Sequence, residues 1–292
     1  MNPSFAPLTD RGVLEVAGAD RVAFLQGLVS NDVAKAAAGT PVYAALLTAQ
    51  GKYLHDFFVV ALGEALFLDC ERARLGDLQR RLSLYKLRSK VTLADASARF
   101  TVVAAWDDEA LAKLNLAAGA AKPFASGVAY GDPRLPALGA RFLIPAGCEA
   151  EIAAAGFTRA DAAAYDRHRL ALGVPDGSRD LEIEKSILLE NGFEELNGVD
   201  FAKGCYMGQE LTARTKYRAL IRKRLVPVTI DGPMPAPGTP VTRNGEEVGE
   251  VRSGTDGLAL AMLKLEALAG PLSAGATKLT PQLPAWMKFS NL

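Results

Sequence analysis

The sequence predicts an α+β protein in which two mixed portions are followed by a small C-terminal β-barrel. Three observations carry this. Strand-like and helix-like hydrophobic patterns alternate up to residue 98, and they resume from Phe100 to about Leu172. After Leu225 only short β-like runs remain, separated by Pro, Gly and Asn.

In the first portion, residues 1–98, Val13 to Val16 reads as a strand. Asp20 stands where it can cap a helix whose apolar face is Phe24, Leu25, Leu28 and Val29. Val42 to Ala49 and Tyr53 to Ala61 read as strands joined through Gln50-Gly51-Lys52, a glycine-bearing joint that suggests a hairpin. Ala65 to Leu68 is another strand, and Glu71 to Leu87 is a basic amphipathic helix, so the order is β-α-β-β-β-α.

The second portion, residues 99–220, holds a strand at Thr101 to Ala105, an Ala-rich helical segment and a Gly/Pro-rich connection from Gly127 to Gly139. A strand at Arg141 to Ile144 and a helix from Thr158 to Leu172 follow. Thr158 with Asp161 suggests a capping box, and Gly173-Val174-Pro175 ends the helix. In residues 221–292 the strand-like runs are Pro227 to Ile230, Pro240 to Arg243, Glu247 to Val251 and Leu258 to Met262. Asn244-Gly245 between two of them is a type I′ hairpin signal.

The 292 residues are 49% hydrophobic and 23% charged, enough for two or three domains with a core that needs no disulfide or structural metal. Basic and acidic side chains number 33 each, so no global field draws the chain to nucleic acid or membrane, and any anion site must be local. The opening MNPSFAPLTDRG lacks the basic and apolar blocks of a signal peptide, and no apolar run approaches the ~20 residues of a membrane span. The three cysteines, Cys70, Cys148 and Cys205, are far apart, and the only histidines are His55 and His168. No zinc or cluster framework follows from them, and a reduced, cytoplasmic protein is expected.

The most informative segment is Lys203-Gly204-Cys205-Tyr206-Met207-Gly208-Gln209-Glu210. Its glycines permit a sharp turn and close approach of a ligand. Lys203 and the cations that follow favour the thiolate, the reactive form of cysteine. A small buried hydrophobe in a tight turn is the plainer alternative. Charge around it is asymmetric. Asp176 to Asp200 carries eight acidic and two basic residues, and Lys203 to Arg224 carries seven basic and one acidic. Such runs are either two faces attracting each other across a junction or an anion-accepting rim beside a carboxylate-bearing pocket, which would suit folate.

The run from Asp200 to Arg214 resembles the KGCYxGQE signature of the YgfZ branch of the glycine-cleavage T-protein (GcvT-like) superfamily. Its continuation Ile221-Arg222-Lys223-Arg224-Leu225 is especially similar to the mitochondrial iron–sulphur cluster assembly members. Phe24 to Leu28 with Ser30-Asn31-Asp32 resembles that family's FLQGLxTND stretch, and Ala45 to Lys52 resembles ALLTPQGK. Arg167, Arg169, Gly173 and Pro175 match its R-x-R…G-x-P element. The resemblance implies a ring-like fold of two α+β portions and a barrel, with tetrahydrofolate or a related reduced folate in the centre. It also implies transient contact with iron–sulphur enzymes or their assembly factors, and through them support of tRNA modification.

Carried onto this chain, the resemblance makes Cys205 the reactive residue with Lys203 beside it. Glu190, Asp56, Tyr206, Gln209, Glu210 and Arg214 become candidate folate contacts. Two departures stand out. Gly192 occupies the place of an expected Asn, and His55-Asp56 replaces the consecutive carboxylates of the aminomethyltransferases. Because neighbouring strand residues face opposite ways, only Asp56 remains, and a lone strand His is more often structural. Aminomethyl transfer of the T-protein type is therefore the alternative rather than the expectation. A tRNA-binding module built on Arg214 to Arg224 has only Tyr217 for stacking.

Overall fold

The computed structural model describes residues 2–218 and 221–289, so the boundary drawn at residue 220 lies outside the described residues. The chain runs through β1 (Ser4–Pro7), β2 (Arg11–Ala17), α1 (Arg21–Gln26), α2 (Val33–Ala37), β3 (Val42–Leu47), β4 (Tyr53–Leu62), β5 (Ala65–Glu71), α3 (Leu75–Leu84) and β6 (Thr92–Asp95). It continues through β7 (Phe100–Trp106), α4 (Ala110–Lys113), β8 (Ala121–Phe124), β9 (Gly127–Gly131), β10 (Ala140–Pro145), α5 (Glu149–Ala154), β11 (Thr158–Arg159), α6 (Ala162–Ala171) and α7 (Gln209–Tyr217). The last strands are β12 (Lys223–Asp231), β13 (Pro240–Arg243), β14 (Glu246–Thr255), β15 (Leu258–Lys264), β16 (Leu272–Ala274) and β17 (Thr277–Pro281).

These strands form a five-stranded sheet β3-β4-β5-β2-β6, a six-stranded sheet β11-β1-β7-β10-β9-β8, and a closed barrel β12-β15-β14-β13-β16-β17. The two open sheets face each other. Tyr43, Phe58 and Phe67 from the first share a core with Val102, Trp106, Tyr130 and Leu143 from the second. The outer face of the first sheet packs on α1, α2 and α3, and that of the second on α4 and α5. The barrel fills its interior with Val226, Val228, Val241, Val251 and Leu279, and rests on α6 through Leu170, Leu225, Leu260 and Met262. Asn244 and Gly245 at the β13–β14 turn both have positive φ, as the primed hairpin requires.

Several local expectations change. Strand β1 precedes β2 in the chain yet joins the other sheet, between β7 and β11. Thr158-Arg159 is therefore extended rather than helical. Thr158 N donates to Pro3 O and Ala160 N to Phe5 O, so α6 starts only at Ala162, capped by Asp161 accepting from Ala164 N. The Gly127 end of the expected connection is strand β9, where a Cβ would lie 2.1 Å from the Leu143 carbonyl oxygen, so glycine serves strand approach rather than a turn. Asp20 makes no side-chain cap on α1 and instead accepts from Lys90 N at 2.7 Å. The helix expected from Glu71 is shortened to α3 by the 3-10 turn Arg72–Arg74.

Candidate functional site

The segment before α7 crosses onto the first portion and is pinned there by polar contacts. Asp200 accepts from Ala202 N and Lys203 N and pairs with Lys35 at 2.6 Å. Lys203 Nζ donates to the carbonyl oxygens of Gln26 (2.8 Å), Val29 (2.6 Å) and Asn31 (2.9 Å), and lies 5.0 Å from the Tyr206 ring centre. An ammonium has three protons, so this set saturates it. Lys203 is a strut between the loop and the end of α1, although burial lowers its pKa to about 8. Met207 N reaches Gly27 O at 3.0 Å, and Gln209 Oε1 accepts from Tyr206 N at 3.2 Å.

Gly208 and Gly51 complete the clamp. Both have positive φ, +79° and +82°. A Cβ on Gly208 would lie 2.4 Å from Thr48 O, and one on Gly51 would lie 2.6 Å from Gly208 O. The β3–β4 hairpin tip therefore abuts the start of α7 backbone to backbone. Cys205, held above this clamp, is exposed, whereas Cys148 is half-buried and Cys70 is buried, with its thiol pushed up to about 12 by burial. Of the three thiols, Cys205 is the most open to a macromolecule.

The other candidates divide. Tyr206 is half-buried, which pushes its hydroxyl up, and Glu210 and Arg214 are exposed on the first and last turns of α7. Glu190 lies in the 3-10 turn Leu188–Asn191, where burial raises its carboxyl pKa against the pull of Lys223 and Lys52. The departure at Gly192 has a backbone reason. Its φ is +78°, and Trp286 lies 3.1 Å from where a Cβ would be. The acidic and basic runs do meet, through Lys216–Glu194 and the Arg224–Glu195 pair at 2.6 Å.

Asp56 is elsewhere. A β-bulge between Leu46 and Leu47 lets Tyr53 share its face, and Asp56 accepts from Tyr43 Oη (2.8 Å) and Tyr53 Oη (2.7 Å). It lines a cavity of about 320 Å³ with Arg11, Phe58, Arg134, Arg141 and Tyr165. Cys205 and Glu190 are not among the described residues lining that cavity. The guanidinium carbons of Arg141, Arg134 and Arg11 stand 4.1, 4.7 and 5.9 Å from the Phe58 ring centre. Against the cost of its burial, Asp69 is held below the usual carboxylate range by Arg11 and Arg141, which it bonds at 2.7 Å each. Arg11 joins Arg134 and Arg141 from more than a hundred residues away, and their convergence left no local signal in the sequence. His55 points the other way, its Nε2 3.0 Å from Asp77 of α3, and burial, helped by Arg74, lowers its pKa to about 4.

Comparison with known proteins adds the family. Residues 222–289 match the family described as CAF17, C-terminal beta-barrel domain. The chain is 37% identical to the human mitochondrial iron–sulphur cluster assembly factor IBA57, over 96% of this chain and 84% of that one. The mouse protein of the same name is 32% identical over the same shares, and the Mycosarcoma maydis homolog is 39% identical over 77% of this chain and 56% of that one. Among solved structures, glycine cleavage system aminomethyltransferase T from Bartonella henselae superposes with a TM-score of 0.78 at 16% identity, covering 98% and 86% of the two chains, a likeness of fold. The relatives are mitochondrial by name, which corrects the expectation of a cytoplasmic protein. Unpaired cysteines argue for reducing surroundings, and the cytoplasm is not the only compartment that provides them.

Proposed function

The chain belongs to the IBA57 family of iron–sulphur cluster assembly factors, and on that premise we propose that it works in the assembly or repair of iron–sulphur enzymes through Cys205. The observation that carries this is the exposure of Cys205 on a loop fixed from both sides by Lys203 and Gly208. One cysteine cannot hold a cluster that takes about four protein ligands, so the contact is transient and shared with a partner. The Cys205 sulphur gives up its proton to solvent and donates a lone pair to a cluster iron as one ligand of the donor protein leaves. Support of tRNA modification follows indirectly, through cluster-dependent enzymes.

Reduced folate is the proposed small-molecule ligand, in the cavity at Asp56. The donor set fits it. Tyr165 lines the cavity as an aromatic wall, Asp56 keeps lone pairs for ring N–H groups, and the arginines suit the carboxylates of the tail. Bound there, folate would supply a one-carbon carrier. Aminomethyl transfer is not part of the proposal, because His55 stands in place of a second consecutive carboxylate and faces α3, leaving only Asp56 of that pair toward the cavity.

The test is complementation of cells lacking the endogenous factor, read as activity of a cluster enzyme. Cys205→Ala should lose that activity while keeping the melting temperature, and Cys148→Ser should retain it. Full complementation by Cys205→Ala would remove the thiol from the mechanism.

A further inference from the structure

Helix α3 buries Leu75, Leu78 and Leu82 and then ends in a turn of different character. Leu84, Tyr85 and Leu87 are 65%, 44% and 89% exposed. Leu87 also sits at φ +41°, a left-handed conformation that costs a leucine energy. Neither the core nor local backbone preference accounts for an apolar side chain there.

The turn is nonetheless held. Tyr85 N, Lys86 N and Ser89 N donate to Leu82 O, Ser83 O and Lys86 O. Asp20 ties its far end by accepting from Lys90 N at 2.7 Å. Cations ring the tip. Arg80 and Arg81 pair with Asp77, but Lys86, Arg88 and Lys90 form no ion pair among the described residues.

We propose that this tip is a docking surface for an anionic membrane. Leu87 is almost fully exposed and borders only a shallow, open depression with Asp20, Arg88 and Ser89. A stable protein contact buries about 800 Å² per partner, more than three side chains at one turn present. Interfacial lipid binding asks for less: leucines at the acyl boundary, tyrosine at headgroup level and cations on the phosphates. Each lysine or arginine near an anionic surface adds to the attraction, and it falls off within a Debye length of about 8–10 Å. With a net charge of zero the chain as a whole adds no attraction, so what the tip gains comes from its own local cations. No helix of the described residues is long and apolar enough to cross the bilayer, so the mode is interfacial.

The experiment is co-sedimentation of the full chain with vesicles of phosphatidylcholine alone and of phosphatidylcholine with phosphatidylglycerol. Binding to the mixed vesicles should be about tenfold stronger and should weaken with salt. The double variants Leu84→Ser/Leu87→Ser and Lys86→Glu/Arg88→Glu should each lose about tenfold, with melting temperatures unchanged because the side chains are outside the core. Absence of binding to mixed vesicles, or binding unaffected by both double variants, would overturn the proposal. So would a fall in melting temperature in both, which would make the tip structural. Tip-dependent capture of an acidic protein without vesicle binding would overturn it in favour of a protein partner.

Discussion

At the scale of single residues, position within a strand decides what neighbouring side chains do. His55 and Asp56 are adjacent, yet one meets Asp77 on α3 and the other faces the cavity between the sheets. Burial holds the His55 imidazole neutral down to about pH 4, against ~6.5 in an unfolded chain. Between those values the unfolded state binds more protons. The stability tied to His55 is complete above pH ~6.5 and falls as pH drops toward 4, by on the order of 2–3 kcal/mol. Urea midpoints at pH 7 and pH 4.5 should diverge more in the natural chain than in His55→Gln. Equal divergence would show that carboxylates alone carry the acid sensitivity. Lys203 teaches the same lesson from the other side. Its closeness to Cys205 in sequence suggested activation of the thiol, whereas its three protons go to carbonyls at the end of α1.

At the scale of elements, the loop before α7 shows how two similar glycines differ. Gly204 has open space where a Cβ would stand, and Gly208 has both positive φ and the Thr48 carbonyl in the way. Gly208→Ala should therefore cost about 2 kcal/mol or more and loosen the β3–β4 hairpin from α7, while Gly204→Ala stays within ~0.5 kcal/mol. Denaturant midpoints of the two variants measure this. Similar losses in both would mean that the clamp is not where the loop draws its order. Fixing the loop fixes Cys205, so function should follow the same ranking.

At the scale of the whole molecule, the two sheets enclose buried charge and the barrel is fastened by it. Asp180 accepts from Arg169 and from Ser253 of β14, and Arg224 of β12 reaches Leu189 O and Glu195. The cavity between the sheets is the place where a ligand could couple the two portions. Tetrahydrofolate should bind at low- to mid-micromolar strength, about −7 to −8 kcal/mol, and raise the melting temperature. Asp56→Asn should weaken it. Calorimetry without heat and an unchanged melting curve would exclude folate from this cavity without touching the role of Cys205.

By itself the sequence determined the local periodicities and the short-range chemistry: the β3–β4 hairpin, the Asn244-Gly245 turn, the barrel strands and the signature around Cys205. These depend on neighbours within a few residues, so they are written in order along the chain. Only tertiary structure decided that β1 joins the second sheet, that Thr158 is extended, and that Arg11, Arg134 and Arg141 converge on Phe58. It also put Asp56 in a cavity whose lining does not include Cys205. Pairing across a sheet and burial of a charge against a distant partner are set by the hydrogen bonds and counter-charges the folded chain supplies, and no local pattern encodes them.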